Sequence, residues 1–252
     1  MKYGAVVSAR MTSSRLPGKS MMDLEGKPLI ERVVERIKKS QLVSGIVIAT
    51  TTNIKDDPIA SLAVKLGLAV YRGSEEDVLQ RVLLAAEQNN IEIIVRVTGD
   101  CPLVDPKIID RTIRKYEEEK ADYTCNDSHI PSLFKPSYPR GLDVEVFSTK
   151  LLDEISRLTN DRFHREHVTL YIYENKDKYK ISAITAEPDE NCPELRLCVD
   201  TQEDLDFVRE VYRNLSSKNP NFLAKDIVAL VKKRPELARM NINARQKSPR
   251  EK

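Results

Sequence analysis

The strongest constraint on the fold is an alternation, along the first hundred residues, between short β-rich runs and amphipathic segments. The β-rich runs are YGAVVSA, IVIATTT, AVYRG and IEIIVRVTGD, and the segments between them are PLIERVVERIKKS, PIASLAVKLG and DVLQRVLLAAEQN. The β-rich runs are continuously apolar, which is typical of parallel strands covered on both faces. Pro28 and Pro58 suit the first turn of a helix, and Gly67 suits a helix C-cap. We predict a doubly wound, Rossmann-like α/β domain with a mostly parallel sheet.

The second half of the chain is less regular. A helix is predicted from about Pro106 to Glu119, followed by a strand ADYTC and a polar, proline-bearing loop or lid at 126–139. Further predicted strands are LDVEVF, YKISAIT and LRLCVDT, and further predicted helices are REHVTLYIYENK, EDLDFVREVYRNL and AKDIVALVKKRP. We expect one domain over 1–215, with a lid or dimerisation insertion at about 126–180. A helical extension and a charged tail would occupy 216–252.

Composition excludes several classes of function. The 41 basic residues nearly balance 39 acidic ones, so no global field draws the chain to nucleic acid. No apolar run approaches membrane-spanning length, and the first apolar run is too short for a signal peptide. The four cysteines are widely spaced without a CxxC pair, which favours reduced thiols. We expect a cytoplasmic protein with neither nucleic-acid nor membrane partners.

The loop after the first strand, SARMTSSRLPGKS, ends like a phosphate-binding P-loop. Ser13 stands where the first P-loop glycine belongs, and the convincing helix start comes only at Pro28, so a P-loop is not favoured. The loop instead carries Arg10, Arg15 and Lys19, with hydroxyls on Thr12, Ser13 and Ser14. Open α/β sheets bind ligands at the carboxyl ends of their strands, where this loop must lie. It therefore fits a polyanion such as a triphosphate, with a solvated loop as the alternative.

Two aspartates follow predicted strands. Asp100 comes after Gly99 at the end of IEIIVRVTGD, and Asp200 ends LRLCVDT. Carboxylates at strand ends, facing a triphosphate, suit Mg²⁺, which combines one or two carboxylates with phosphates and water. Alternatively, each aspartate caps the helix that follows it.

Two further clusters allow more than one interpretation. In YPRGLDVEVF, Asp143 and Glu145 are two positions apart on a predicted strand and share a face. Together with Arg140 they could form an ion pair or contact a polyhydroxylated substrate. His164 and His167 lie three apart on a predicted helix but lack the HExxH order, so substrate contact or packing is favoured over zinc.

Several of these runs together resemble a known family. ARMTSSRLPGKSMMDLEGKPLIERVVERI, GSEEDVLQR, VRVTGDCPLVDP, YPRGLDVEVF, REHVTLYIYE and LRLCVDTQEDL are similar to cytidylyltransferases of the spore-coat polysaccharide biosynthesis type. These are relatives of the 3-deoxy-manno-octulosonate (KDO) and acylneuraminate cytidylyltransferases. The resemblance extends from residue 2 to about residue 246.

The resemblance implies a nucleotide-diphosphosugar-transferase fold, similar to glycosyltransferase A, and transfer of CMP from CTP to a sugar with release of pyrophosphate. By similarity, the nucleotide-binding residues would be Ala9, Arg10, Ser13, Arg15, Lys19, Arg72 and Ser74. Asp100 and Asp200 would ligate Mg²⁺, with Arg15 and Lys19 sharing the catalytic role. His167 would lie near the sugar, where we also expect Arg140, Asp143 and Glu145. Relatives often pair, so a homodimer is expected.

The resemblance leaves the sugar open, because KDO enzymes read Gly-Asp-Glu-Pro where this chain has Gly99-Asp100-Cys101-Pro102. A keto-sugar acid is the expected acceptor for surface polysaccharide synthesis. The alternatives are another nucleotide, a sugar 1-phosphate as acceptor, or a non-catalytic nucleotide-binding protein of this fold. A dinucleotide-dependent oxidoreductase is not favoured, since no GxGxxG follows the first strand.

Overall fold

The computed structural model describes residues 2–127, 130, 132–245, 248 and 250. Residues 128, 129 and 131 of the predicted lid, and residues 246, 247, 249, 251 and 252 of the predicted tail, lie outside the described residues. Within the described part, seven strands form one sheet in the order β3-β2-β1-β4-β6-β5-β7. The strands are β1 Tyr3–Ser8, β2 Gly45–Thr51, β3 Ala69–Gly73, β4 Ile93–Thr98, β5 Tyr123–Asn126, β6 Glu145–Ser148 and β7 Ile181–Ile184.

Parallel pairing dominates the sheet, as predicted. β1 pairs in parallel with β2 and β4, β2 pairs in parallel with β3, and β5 pairs in parallel with β7. β6 is the reversed strand and runs antiparallel to β4 and β5. The carboxyl ends of β1 to β4 therefore meet at one edge of the sheet, where the loops that carry the predicted site begin.

Helices cover both faces of the sheet. They are α1 Leu29–Ile37, α2 Asp57–Lys65, α3 Val78–Gln88, α4 Pro106–Glu119, α5 Thr149–Leu158, α6 Arg162–His167, α7 Leu170–Glu174, α8 Gln202–Leu215 and α9 Ala224–Lys233. Apolar residues of α1, α2, α4, α8 and α9 form one core with the sheet, and those of α3, α5 and α7 form a second. This arrangement confirms the predicted α/β class. None of the described helices combines the length and the apolar composition needed to cross a bilayer.

Two local expectations were wrong, and one helix was missed. LRLCVDT forms no strand, and its described β-bridge is an isolated parallel one between Arg140 and Arg196, outside the named strands. Helix α5 was not expected, although TKLLDEISRL has an apolar stripe and the Ser148 side chain caps its start. The helix predicted over REHVTLYIYENK is interrupted at Val168, whose φ is +54° and ψ is −61°. Because Thr169 N donates to the carbonyl of His167 across Val168, a strained γ-turn separates α6 from α7.

Candidate active site

The loop after β1 folds back on itself at the sheet edge. Ala9 N donates to the carbonyl of Ala49, and Gly18 N donates to the carbonyl of Met11 at 2.8 Å. Met11 N is in turn held by the buried carboxylate of Asp56, at 2.7 Å. Gly18 has a φ of +78°, which favours glycine, and a short 3-10 helix over Lys19–Met21 follows it. These bonds return Lys19 toward the ends of the strands.

Gly99 allows the end of β4 to approach this loop closely. Its N–H donates to the carbonyl of Ser8 at 2.9 Å. A Cβ atom on Gly99 would lie 2.8 Å from that carbonyl oxygen and 2.9 Å from the Cβ of Ala9, so a side chain would not fit. The next residue, Asp100, is thereby placed beside the loop that carries Lys19.

Asp200 reaches the same place without a strand. The segment before it lies along Arg140 and Gly141, where Arg140 N donates to Leu195 O at 3.0 Å and Leu197 N donates to Arg140 O at 2.7 Å. Val199 N then donates to the carbonyl of Asp100 at 2.8 Å. Tertiary backbone bonds therefore bring the two aspartates together, whereas the sequence suggested two strand ends.

Lys19 lies between the two aspartates. Its Nζ donates to Asp100 Oδ2 at 2.9 Å, to Asp200 Oδ1 at 2.8 Å and to the carbonyl of Val199 at 2.8 Å. The Lys19 side chain is only 12% exposed. One cation thus holds two carboxylates that are distant in sequence.

The ion pairs shift the protonation equilibria of this cluster. Burial is the largest single influence and acts to raise the pKa of the Asp100 carboxyl, but attraction to the Lys19 ammonium and hydrogen bonds from Lys19, Thr98 and the backbone together leave that pKa below its usual value. Burial acts to lower the pKa of Lys19, but attraction to Asp100 and Asp200 outweighs it and raises that pKa. Both groups are therefore charged at neutral pH.

Two arginines complete the environment of Asp200. Asp200 Oδ2 lies 2.8 Å from Arg15 Nη2 and accepts from Arg196 Nη2 at 2.6 Å. Arg15 is partly exposed, while Arg196 is buried. The four residues predicted to be catalytic, Arg15, Lys19, Asp100 and Asp200, therefore form one contact network.

A second group of predicted residues lies in the loops after β1, β2 and β3. Arg10 donates to the carbonyl of Glu75 at 3.3 Å, and the Glu75 carboxylate contacts Thr12 and accepts from Asn53 Nδ2 at 3.3 Å. The hydrogen bond from Thr12 lowers the pKa of the Glu75 carboxyl. Glu75 thus connects the loop bearing Arg10 to the loops after β2 and β3.

The remaining predicted nucleotide residues have local partners. Arg72 donates to the carbonyls of Thr51 and Asn53, both at 2.8 Å, and pairs with Asp57 at 2.6 Å. Ser74 is exposed and its Oγ accepts from Asp77 N at 3.0 Å. Ser13 Oγ accepts from Leu16 N, which is a turn within the loop, and Ala9 is buried at the end of β1.

The residues predicted to meet the sugar do not form the expected strand face. Strand β6 begins at Glu145, so Asp143 precedes the strand, and the expectation of a shared strand face was wrong. Asp143 Oδ2 accepts from Gly141 N at 3.0 Å. Glu145 is buried and contacts Arg96 on β4, Tyr123 and Thr169. The ion pair considered from sequence therefore involves Arg96, not Arg140.

The histidines occupy different positions around α6. His164 is buried, with Nε2 2.8 Å from Glu174 Oε2 and Nδ1 2.7 Å from Thr159 Oγ1. These contacts make His164 a packing residue. His167 is the last residue of α6, and its carbonyl accepts the hydrogen bond of the γ-turn at Val168.

Sequence reasoning missed three residues of the network, Arg196, Asp204 and Asn241. Asp204 could have been found, because Thr201 and Asp204 form a capping box at the start of α8, and T-x-x-D is a readable signal. Arg196 lies four residues before Asp200, a spacing without meaning outside a helix. Asn241 lies in the segment expected to be an extension, and nothing in its neighbourhood indicates a contact with the site.

The donor set fits a metal ion that arrives with phosphate. Among the described residues, no group of three or more His, Cys, Asp or Glu side chains is arranged to hold a metal ion. Asp100 and Asp200 nevertheless direct one oxygen each at a single cation, the ammonium of Lys19. Mg²⁺ typically takes one or two carboxylates and completes its coordination with substrate phosphates and water.

Comparisons with known proteins identify relatives of this chain. The spore coat polysaccharide biosynthesis protein SpsF of Bacillus subtilis is 33% identical over 239 residues, which cover 92% of this chain and 95% of that protein. A cytidylyltransferase structure from Leptospira borgpetersenii matches with a TM-score of 0.86 and 32% identity, over 98% of this chain and 99% of that one. A CMP:2-keto-3-deoxy-manno-octonic acid synthetase, solved with CTP, matches with a TM-score of 0.61 and 20% identity over 85% of this chain and 99% of that one, and so shares the fold.

The sequence profile of one family covers most of the chain. That family is described as cytidylyltransferase, and its profile matches residues 5–228. The match includes Lys19, Asp100 and Asp200, the three residues at the centre of the network. The chain belongs to the cytidylyltransferase family.

Proposed function

We propose that this chain transfers CMP from CTP to a hydroxyl of a keto-sugar acid, releasing pyrophosphate, in the synthesis of a surface polysaccharide. The observation that carries the proposal is the Lys19 ammonium between Asp100 and Asp200, at 2.9 and 2.8 Å. It unites a phosphate-binding cation with two candidate metal ligands at the carboxyl edge of the sheet. Family membership and the CTP bound to the CMP:2-keto-3-deoxy-manno-octonic acid synthetase of the same fold support the choice of nucleotide.

The cationic groups would act on the triphosphate. Arg10, Arg15 and Lys19 lie on one loop, and two of them now contact carboxylates of the network. On nucleotide binding, Lys19 and Arg15 would exchange these carboxylates for phosphate oxygens. In that position they would orient the α-phosphorus for in-line attack and stabilise the charge of the departing pyrophosphate.

The carboxylates would hold Mg²⁺ together with the phosphates of the nucleotide. Both carboxylates lie against cations, since Lys19 contacts Asp100 and Asp200, and Arg15 also contacts Asp200. Bound Mg²⁺ would supply neutralisation of phosphate charge and a lower pKa for the attacking hydroxyl. In the transfer, the hydroxyl oxygen forms a bond to the α-phosphorus and loses its proton, while the bond from the α-phosphorus to the pyrophosphate oxygen breaks.

The sugar would bind beyond the α-phosphate. We place Arg140, which is half-buried beside the segment that leads to Asp200, next to the carboxylate of the sugar acid. Asp143 and His167 would contact the sugar hydroxyls. Glu145, which is buried in an ion pair with Arg96, would support the sugar-binding residues from the interior of the protein.

Pyrophosphate release tests the proposal. The purified chain is assayed with Mg²⁺ against CTP, GTP, ATP and UTP, combined with keto-sugar acids and sugar 1-phosphates. We expect release only with CTP and a keto-sugar acid. Release with another nucleotide or with a sugar 1-phosphate would establish one of the alternative transferases, and tight CTP binding without any release would indicate a non-catalytic protein.

Asp100→Asn tests the metal ligand. It should lower Mg²⁺-dependent turnover by at least about 100-fold while leaving the fold intact, because an amide is a poor Mg²⁺ ligand. Asp189→Asn is the matched control, since the Asp189 side chain is exposed. Near-native turnover of Asp100→Asn would contradict the assignment.

Pairing of two chains and residence in the cytoplasm remain predictions. We propose the region of α6 and α7 as the surface between two copies. Light scattering at several protein concentrations measures whether the chain is a dimer.

A further inference from the structure

We propose that Asn241 is a positioning residue for Asp200, and that the C-terminal segment 237–245 is therefore part of the active site. The inference rests on the proposed function, because it treats Asp200 as a ligand of the metal that accompanies CTP. Nothing about the segment 237–245 in the sequence connects it to a strand end or to a phosphate-binding loop. The connection is made by buried hydrogen bonds.

The first link is Asp204, which is fully buried at the start of α8. Its Oδ2 accepts from the backbone N–H groups of Asp200 and Thr201, at 3.0 and 3.1 Å. Its Oδ1 accepts from Arg196 Nε at 3.0 Å. The same arginine donates from Nη2 to Asp200 Oδ2 at 2.6 Å. Asp204 thus fixes both the backbone of Asp200 and, through Arg196, its carboxylate.

The second link is Asn241, which is 4% exposed. Its Nδ2 donates to Asp204 Oδ1 at 2.9 Å and to the carbonyl of Arg196 at 3.1 Å. One amide group therefore holds the carboxylate that orients Arg196 and also the backbone of Arg196. Without this amide, a fully buried carboxylate oxygen would lose one of its two donors, which is costly in an apolar environment.

A further bond joins the same segment to the phosphate-binding loop. Arg15 Nη1 donates to the carbonyl of Arg245 at 3.0 Å, while its Nη2 lies 2.8 Å from Asp200 Oδ2. The segment is anchored by Leu237, which is buried in the core. A cavity of about 270 Å³ is lined by Arg15, by Thr201 and Glu203 at the start of α8, and by residues of the segment. The segment consequently restrains two groups that contact Asp200, Arg196 and Arg15.

This arrangement fixes the direction of the Asp200 carboxylate. Oδ2 is held by the two arginines, so Oδ1 is left facing Lys19 and, by inference, the metal. Groups that orient metal ligands from behind commonly change metal affinity by 10- to 100-fold when they are removed. Asn241 occupies such a position although it is 41 residues beyond Asp200 in the sequence.

Two substitutions at Asn241 separate hydrogen bonding from packing. Asn241→Ala removes the donor and some volume, whereas Asn241→Asp keeps the volume but places a carboxylate against Asp204. If the hydrogen bonds that Asn241 donates matter, Asn241→Asp should weaken metal binding more than Asn241→Ala does. If Asn241 only fills space, Asn241→Asp should weaken metal binding less than Asn241→Ala does. Asn221→Ala, at an exposed position outside the segment 237–245, is the matched control.

The principal measurement is divalent metal affinity, followed by the disappearance of the free Mn²⁺ signal in electron paramagnetic resonance with CTP present. We expect Asn241→Ala to weaken Mn²⁺ binding by about 10-fold or more, Asn241→Asp to weaken it further, and Asn221→Ala to leave it unchanged. The KM for Mg²⁺ should rise in parallel. Mn²⁺ binding within twofold of the native chain in both folded Asn241 variants would overturn the inference.

A milder variant covers the case in which the Asn241 variants fail to fold. Arg196→Lys keeps the positive charge but cannot bridge Asp204 and Asp200, and it should also weaken Mn²⁺ binding by about 10-fold. Native affinity in Arg196→Lys would contradict the inference. The proposed function fails separately, since a native chain that binds Mn²⁺ and CTP but releases no pyrophosphate would refute transfer while the variants still report on positioning.

Discussion

Lys19 Nζ lies 2.8 Å from Asp200 Oδ1, although the two residues are 181 positions apart. The same nitrogen lies 2.9 Å from Asp100 Oδ2. The oxygens that we assign to Mg²⁺ therefore accept from the Lys19 ammonium. We expect metal binding to release Lys19 toward the phosphates, because both cations would use the same carboxylate oxygens.

Lys19→Met should reveal the competition. The substitution should destabilise the protein by about 1–3 kcal/mol, because two partly buried carboxylates lose a shared cation. It should also enlarge the rise in melting temperature that Mg²⁺ produces, since the metal no longer competes with an ammonium. Thermal unfolding with and without Mg²⁺ measures both effects.

Lys225→Met is the matched control for this experiment, because Lys225 is exposed on α9. It should leave stability and the response to Mg²⁺ unchanged. An equal Mg²⁺ response in Lys19→Met and the native chain would show that the metal binds elsewhere.

The pair of Asp100 and Lys19 should make stability depend on pH. Burial acts against ionised Asp100, but attraction to Lys19 and the hydrogen bonds to the carboxylate together prevail, and the folded-state pKa of Asp100 lies below its value of about 3.9 in the unfolded chain. A lowered pKa stabilises the fold fully above about pH 5, and this contribution is lost as the pH falls through 3.9 toward the folded-state value. Urea unfolding between pH 3 and pH 7 should show a shallower acid loss in Asp100→Asn than in the native chain.

Asp189→Asn should retain the native dependence on pH, because Asp189 is an exposed loop residue. The dependence of stability on pH has the opposite sign for Lys19, because the pKa of Lys19 is raised. Its contribution is present below about pH 10.4 and is lost as the pH rises through the folded-state pKa. Equal acid sensitivity in Asp100→Asn and the native chain would contradict this assignment of the stabilising pair.

The alternation of strands and helices predicted the α/β sheet because parallel strands and their helices are local patterns of apolar residues. The loop with Arg15 and Lys19, and the position of Asp100 after β4, follow from the same order. The contact of Asp200 with Lys19 followed from a wrong premise, because Asp200 ends no strand. It is placed by backbone hydrogen bonds of the preceding segment to Arg140 and Asp100, and by close packing of that segment on Gly141, none of which a local pattern encodes.

Glu145 and Asn241 show more clearly which contacts of the site cannot be predicted from the sequence. Alternation along YPRGLDVEVF predicts a strand but does not determine which residue begins it or which face is buried. Glu145 accordingly lies against Arg96, inside the protein. The position of Asn241 depends on a tertiary contact with Asp204, which lies 37 positions away in the sequence. The residues around Asn241 show no periodic apolar pattern from which this contact could be predicted.

Gly141→Ala should separate Asp200 from its partners. Gly141 has a φ of +94°, and a Cβ atom there would lie 2.3 Å from Cys198 N and 2.6 Å from the carbonyl carbon of Leu197. The segment leading to Asp200 would have to move away. We expect a loss of stability larger than the roughly 1 kcal/mol cost of a left-handed alanine, together with weaker Mg²⁺ dependence of turnover.

Gly26→Ala is the control for Gly141→Ala, because it measures the cost of a left-handed alanine backbone alone. Gly26 has a φ of +83°, and a Cβ atom there meets nothing within 4 Å. It should therefore cost only about 1 kcal/mol in urea unfolding and leave turnover unchanged. Equal losses in the two variants would show that close packing at Gly141 does not position Asp200.

Glu75→Ala should weaken nucleotide binding without unfolding the protein. The Glu75 carboxylate contacts Thr12 and Asn53, and its carbonyl accepts from Arg10, so it orders the loop that would meet the nucleotide. Its side chain is 34% exposed, so its removal should change the free energy of unfolding by about 1 kcal/mol or less. Loss of a hydrogen bond worth about 0.5–1.5 kcal/mol predicts a 2- to 12-fold rise in the KM for CTP at nearly constant kcat. Glu76→Ala, at the exposed next position, should change neither parameter, and an equal KM in the two variants would remove Glu75 from the nucleotide site.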